Sequence, residues 1–238
     1  MSNPLETLLV VQEHDLALDR LQHRRDTLPE RDALAAVTAR ATLLAARTDS
    51  VTAERDVLGR EEARLDDEAR TLEARAKDVE AKMYSGEVTS PRELQAMQAD
   101  VDQLQRHRRD VEGRELEIME QREPFDAELA TLGEHRAELT TQSERLAATL
   151  AEAERAIDAE MHVERDARDA LTADLDTALL ATYEQRRATA RGAGIARLVG
   201  TICQGCHLMI PSTEAERIKR APVGSLASCD NCGCILVP

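Results

Sequence analysis

The longest regular signal in the chain is a run of mainly apolar positions spaced alternately three and four residues apart. It passes through Leu34, Val37, Ala41, Leu44, Thr48, Val51, Arg55, Leu58, Glu62, Leu65, Ala69, Leu72, Ala76, Val79 and Met83. A period of about 3.5 residues keeps one narrow stripe turned toward a partner helix, so this spacing predicts a coiled-coil seam. A matching series begins at Leu94 and continues through Met97, Val101, Leu104, Arg108, Val111, Glu115, Ile118, Arg122, Phe125, Leu129, Leu132, Arg136, Leu139, Ser143, Leu146 and Leu150 to Ala153, then drifts toward Ile157, Leu171, Leu175 and Leu179. The turn between the series, Tyr84 to Ser90, is too short for anything but an antiparallel return, unless the arms open into a domain-swapped dimer.

Proline marks where the helices start. Pro4, Pro29 and Pro91 suit a first helical position, whose N–H has no intrahelical partner to lose. The expected helices are about 4–28, 29–84 and 91–188, with the turn at 84–90, and Ser90 with Glu93 reads as a capping box. Leu5, Leu9, Leu16, Leu18 and Leu21 let the first helix pack on the third beyond the reach of the second. Pro124 is interior, where a proline costs a hydrogen bond and crowds the preceding turn. A bend near Arg122 to Phe125 is expected, and the unbroken heptad phase from Ile118 to Leu132 favours a kink over a break. Two readings apply to the seam charges Arg55, Glu62, Arg108, Glu115 and Arg122. They fix register by pairing across the seam, or they lay their stems on it and keep their heads in water.

Composition narrows the class. Only Tyr84, Phe125 and Tyr183 are aromatic and there is no Trp, while 32% of residues are charged. That suits long helices with a narrow apolar side and not a large globular core. A formal charge of −15 repels a phosphate backbone over most of the surface, so any nucleic-acid contact must be local. No stretch of eighteen apolar residues occurs and the opening MSNPLETLLVVQEHD has no secretory pattern, so a cytoplasmic protein with no membrane segment is expected. The six His are scattered and there is no glycine-rich phosphate loop, which leaves an enzymatic reading without residues to carry it.

Gly192 and Gly194 end the helical pattern, and IARLVGTI then has the content of a strand. Residues 1–190 are therefore expected to form the hairpin, and 195–238 a separate small module with too little apolar material to fold without a staple. The hairpin is expected to stay helical when a chelator unfolds that module. All five Cys fall after residue 200, and Cys203, Cys206, Cys229 and Cys232 form two CxxC pairs. In a reducing compartment this pattern favours a metal over disulfides, and two pairs of thiolates suit one tetrahedral Zn2+ with no position left for a catalytic water. Gly205 and Gly233 fit knuckles whose backbone must turn toward sulfur. Cys234 reads as a small filler or spare thiol, or alternatively as a participant in metal binding. His207 follows a ligand without being needed as one.

Between the knuckles, Pro211 to Arg220 reads as a short helix capped by Ser212 or Thr213. Arg217, Lys219 and Arg220, with Arg191 and Arg197 nearby in sequence, are candidate phosphate contacts. They are equally ordinary compensation of a helix dipole, and the ribbon offers no aromatic stacking surface. Taken together, the turn segment from Met83 to Met97, the heptad helix after it and the terminal CxxC…CxxC-Gly pattern resemble a bacterial family of C4-type zinc-ribbon coiled-coil proteins, described as predicted nucleic-acid-binding or adaptor proteins. The resemblance implies a mainly α fold, a long antiparallel coiled-coil hairpin with a small C-terminal β zinc ribbon, four Cys ligands and no catalysis. Cys234 stands where many relatives have Arg, which weakens the carry-over of nucleic-acid binding. The leading expectation is a scaffold or adaptor for a protein partner, as monomer or homodimer, with Tyr84 and Val88 at the hairpin tip as candidate contacts. Nucleic-acid binding by the ribbon is the alternative.

Overall fold

The computed structural model describes residues 3–189, 193–222 and 225–238. Arg191 and Gly192 lie outside these residues. The elements are α1 (Pro4–Asp26), α2 (Pro29–Tyr84), α3 (Pro91–Thr172), α4 (Thr177–Thr189), β1 (Ile195–Val199), β2 (Ile202–Cys203), α5 (Ser212–Arg220) and β3 (Ile235–Val237). They form two compact units, Ala33–Leu146 and the combination of Met1–Asp32 with Ala147–Pro238.

The first of these is the coiled-coil hairpin. Val37, Val51, Leu65, Ala69, Leu72 and Ala76 are buried on α2, and Val101, Val111, Leu132 and Leu139 on α3, all of them positions of the 3,4 series. Contacts across the seam run in opposite directions along the two helices. Arg47 pairs with Glu128 at 2.7 Å, Arg55 Nε with Asp126 at 3.0 Å, Arg122 with Glu62, and Arg108 with Glu73 at 3.8 Å. Of the seam charges, Glu62 and Arg122 pair with each other across the interface, and Arg108 takes Glu73, one position beside the seam. Arg55 takes Asp126, one position beside the seam, instead of a seam partner. Helix α3 continues through Pro124, so there is no break at that residue.

The second unit gathers α1, the end of α3, α4 and the ribbon. Leu28, Ile157 and Met161 form one buried cluster, with Leu18, Leu21, Leu150 and Ala153 against it, which is the packing of the first helix on the third that the leucine pattern implies. The third helix does not reach 188, however. It ends at Thr172, and Asp176 accepts hydrogen bonds from the N–H groups of Ala178 and Leu179 at 2.9 and 3.0 Å, starting a new helix. A side chain that caps backbone donors competes with helix continuation, and this one acts where the heptad phase has already drifted. The interruption redirects Leu175, Leu179, Leu180 and Tyr183 into a core with Leu5, Leu8 and Val11 of α1.

That core also holds Ile195, Ile235 and Val237, so the ribbon packs on the helices and shares a core with them. The Gln12 side chain accepts the Ile195 N–H at 2.9 Å, and Arg197 meets Glu6 at 2.6 Å. The compact units divide the chain near 32 and 146, not near 190, because the parallel pairing of β1 with β3 turns one face of the ribbon sheet toward α1 and α4. At the centre lies Asp15, only 2% exposed, which accepts the Tyr183 hydroxyl at 2.6 Å and Arg168 Nε at 2.6 Å. Arg187 donates to the Asp15 carbonyl and to Asp19. The Tyr183 phenol is held far above its usual value, first by burial and then by the Asp15 carboxylate beside it. Gly194 packs so closely on Tyr183 that a Cβ there would lie 2.7 Å from the ring.

Replacing Asp15 by Ala would remove the buried partner that Tyr183 and Arg168 share, leaving Arg168 only its pairing with the more exposed Glu184 and Asp169, and the loss of one partner from a buried charge pair costs about 3–5 kcal/mol. Tyr183→Phe removes one hydrogen bond and should cost about 1–2 kcal/mol. Urea unfolding followed by hydrogen exchange should place both losses in the unit holding α1, α4 and the ribbon, with protection of Ala33–Leu146 unchanged. Equal loss of protection throughout the chain would contradict the division.

Candidate metal centre

The ribbon is a three-stranded sheet of order β2-β1-β3. Strands β1 and β2 are antiparallel, with Leu198 opposite Cys203 and Val199 opposite Ile202, and β1 is parallel to β3. Gly200, at φ +63°, makes the tight reversal between β1 and β2. The two Cys knuckles repeat the same backbone geometry. The Cys203 carbonyl accepts the His207 N–H at 2.8 Å and the Cys229 carbonyl accepts the Gly233 N–H at 2.7 Å. The Cys203 N–H donates to Leu208 at 3.1 Å and the Cys229 N–H to Cys234 at 2.9 Å.

Backbone donors also converge on sulfur. The Leu208 N–H points at Cys206, the Cys234 N–H at Cys232, and the Asn231 and Cys232 N–H groups at Cys229. Burial pushes the Cys232 thiol up, but the Cys234 N–H and the neighbouring thiols outweigh it and bring the group down to about 7, whereas at Cys206 and Cys229 burial and neighbouring thiols outweigh the backbone donors and hold the groups above their usual value. Such donors stabilise thiolate, the form in which Cys binds metal.

The four sulfurs of Cys203, Cys206, Cys229 and Cys232 lie within 4.8 Å of one another. Cys203 and Cys232 are 3.9 Å apart, and Cys206 and Cys229 are 3.8 Å apart. Bonds of about 2.3 Å to a tetrahedral zinc require sulfur separations of about 3.8 Å, so the donor set fits one Zn2+. With four thiolates the coordination sphere is full and the ion is structural.

The knuckles differ in one respect that the sequence pattern hides. Gly233 has φ +77° and His207, its counterpart in the first knuckle, has φ +60°. His207 is thus exposed, stands outside the sulfur set and holds a left-handed backbone position where a side chain is unfavourable. Gly205, by contrast, is required by space and not by φ. A Cβ there would lie 3.1 Å from the Ala196 Cβ and 3.3 Å from Cys234 Sγ. Cys234 is fully buried, with its sulfur 3.1 Å from that of Cys232 and 3.6 Å from that of Cys203. The short helix α5 has Pro211 at its N-cap with no side-chain cap, so neither Ser212 nor Thr213 performs that role.

The candidate phosphate contacts that are described have acidic partners. Arg197 pairs with Glu6, Arg217 with Glu214 at 2.5 Å, and Lys219 and Arg220 with Glu216 at 3.7 and 3.5 Å. Arg191 lies outside the described residues. At the hairpin tip, Tyr84 is 85% exposed and Val88 half-buried, so Tyr84 does not cover the end of the seam. One feature escapes motif reading. Val199, Ile202, Leu208 and Met209 are all exposed, and register pairs Val199 with Ile202 and Ile202 with Met209 on neighbouring segments. The signal available in the sequence is the absence of any Asp, Glu, Lys or Arg from Leu198 to Thr213, in a chain that is 32% charged.

A helical hairpin ending in a four-thiolate ribbon defines a zinc-ribbon coiled-coil protein. The chain matches the CT398-like coiled coil hairpin domain over residues 11–191 and the C4-type zinc ribbon domain over residues 202–236, and it belongs to that hairpin family. An uncharacterized protein of Mycobacterium tuberculosis is 31% identical over 235 residues, covering 97% of this chain and 94% of its own length. A solved structure from Mycobacterium smegmatis superposes with a TM-score of 0.83 at 28% identity, covering 99% of this chain and 97% of the other. CT398 from Chlamydia trachomatis has the same fold, with a TM-score of 0.69 at 19% identity and coverage of 98% and 96%. Among the described residues no helix is long and apolar enough to cross a membrane.

Two outcomes follow from this geometry. Substituting His207 by Gly should relieve the left-handed position and stabilise the ribbon by up to about 1 kcal/mol, read as a higher chelator concentration at half-release of zinc. Removing zinc should leave most far-UV helicity, which resides in α2 and α3. Because the ribbon shares a core with α1 and α4, hydrogen exchange in both should accelerate together with that of the ribbon. Exchange in α1 unchanged by chelation would show that the shared core does not depend on the metal.

Proposed function

We propose that the protein is a non-enzymatic adaptor of the reducing cytoplasm, whose zinc ribbon is a docking head for a protein partner and whose hairpin tip is a second contact surface. The observation that carries this reading is the strip of Val199, Ile202, Leu208 and Met209, with exposures of 57, 40, 53 and 73%. Interface centres are depleted of charge and enriched in Met, whose flexible thioether adapts to a partner's shape. An uncharged run in so charged a chain supports a surface kept for contact with apolar side chains. Nucleic-acid binding is the weaker reading, because each described candidate cation of the ribbon already faces a carboxylate, and a phosphate would have to displace it.

Affinity capture from the native cytoplasm, with and without nuclease, tests this. The expected result is a defined protein that survives nuclease, is lost at least about tenfold on Met209→Glu, and is retained when Arg217 and Lys219 are both changed to Glu. Tyr84→Ala, which leaves helicity intact, reports whether the tip contributes. Recovery that disappears with nuclease and with the Arg217 and Lys219 changes, yet ignores Met209→Glu, would replace the adaptor with a nucleic-acid-binding ribbon.

A further inference from the structure

The ribbon contains five thiols, and four are enough for the metal. The fifth, Cys234, occupies the place in the second knuckle that Leu208 holds in the first, since each accepts at its carbonyl the N–H of its knuckle's first Cys. The two side chains are treated in opposite ways. Leu208 is 53% exposed and Cys234 is fully buried. Its sulfur is turned inward to 3.1 Å from Cys232 Sγ and 3.6 Å from Cys203 Sγ, separations no larger than those among the ligands themselves. The glycine at position 205 keeps this place open, because a Cβ there would crowd the Cys234 sulfur at 3.3 Å. Its contact with Cys229 is through the backbone, from the Cys229 N–H to the Cys234 carbonyl.

The ligand nearest to Cys234 is also one that reagents can reach. Cys203 and Cys229 are buried, whereas Cys206 and Cys232 are partly exposed. We propose that Cys234 is a reserve zinc ligand that takes over the coordination position of Cys232 when that sulfur is lost. The exchange preserves the donor type and the tetrahedral thiolate set that zinc prefers. Its balance is simple. The Cys232 thiolate displaces the leaving group of an alkylating agent, which departs as an anion, and the resulting neutral thioether leaves the metal, while the Cys234 thiol gives its proton to water as its sulfur binds, so the charge of the site does not change.

The test uses the full chain, with zinc content measured directly and with Co2+ as a probe whose thiolate charge-transfer intensity reports the number of sulfur ligands. Cys232→Ser should retain one equivalent of zinc and give the four-sulfur cobalt spectrum. Cys229→Ser, a ligand that Cys234 meets through its backbone carbonyl and not through its sulfur, should lose more than the roughly 10- to 100-fold in affinity that removal of an outer-sphere partner costs. Adding Cys234→Ala to Cys232→Ser should bring it down to the level of Cys229→Ser, while Cys234→Ala alone binds as wild type. A three-sulfur cobalt spectrum in Cys232→Ser, or affinity as poor as that of Cys229→Ser, overturns the proposal. Should the cavity left by Cys234→Ala itself weaken the site, Cys234→Val fills it without sulfur, and an unchanged affinity of Cys232→Ser on adding Cys234→Val overturns the proposal equally.

Discussion

A single buried carboxylate organises the unit that contains the metal. Asp15 lies on the first helix and receives the Tyr183 hydroxyl and the Arg168 guanidinium from segments more than a hundred and fifty positions later in the chain. Burying a charge in this way is costly unless every lone pair is used, and this one is surrounded by donors from α3 and α4. The specificity that results is geometric. Only one placement of α4 brings Tyr183 to Asp15, and that placement sets Gly194 against the ring and starts β1 beside α1.

The zinc site stands on that arrangement and not apart from it. One side of the β1–β3 pair faces the core with Leu5, Leu8, Val11 and Tyr183, while the other faces the cluster with the Cys sulfurs, Leu198, Ile210 and Ile218. Alternation along β1 assigns Ile195 to the first and Ala196 and Leu198 to the second. A sheet of three short strands has too little area to be stable alone, and here it draws on a metal on one side and on helices on the other.

The hairpin and the four ligands were legible because both rest on strict spacing. The 3,4 series names the buried residues between Ala33 and Leu146 directly, and two CxxC pairs imply a tetrahedron. The end of α3 was not legible, since Leu171, Leu175 and Leu179 extend a plausible helical series while the deciding contact, Asp176 with its own backbone, leaves no periodic trace. The union of the ribbon with α1 was hidden for a different reason. Leu5 and Leu8 look like ordinary positions of an amphipathic helix, and nothing local shows that their partners are Ile235 and Val237. Four well-spaced Cys leave His207 outside the ligand set, but its left-handed backbone was not legible, because that conformation is expected from Gly or Asn.

The contact between α1 and the ribbon strands also constrains the order of folding during synthesis. Leu5, Leu8 and Val11 leave the ribosome more than two hundred residues before Ile235 and Val237, which complete their core. At roughly 5–20 residues per second, α1 waits on the order of ten to fifty seconds with an apolar face uncovered. The helices of Ala33–Leu146 need only their own return stroke and can pair during that interval. A nascent chain therefore carries a paired hairpin in its middle and an uncovered α1 before it, and the emergence of β3 is the event that completes the shared core.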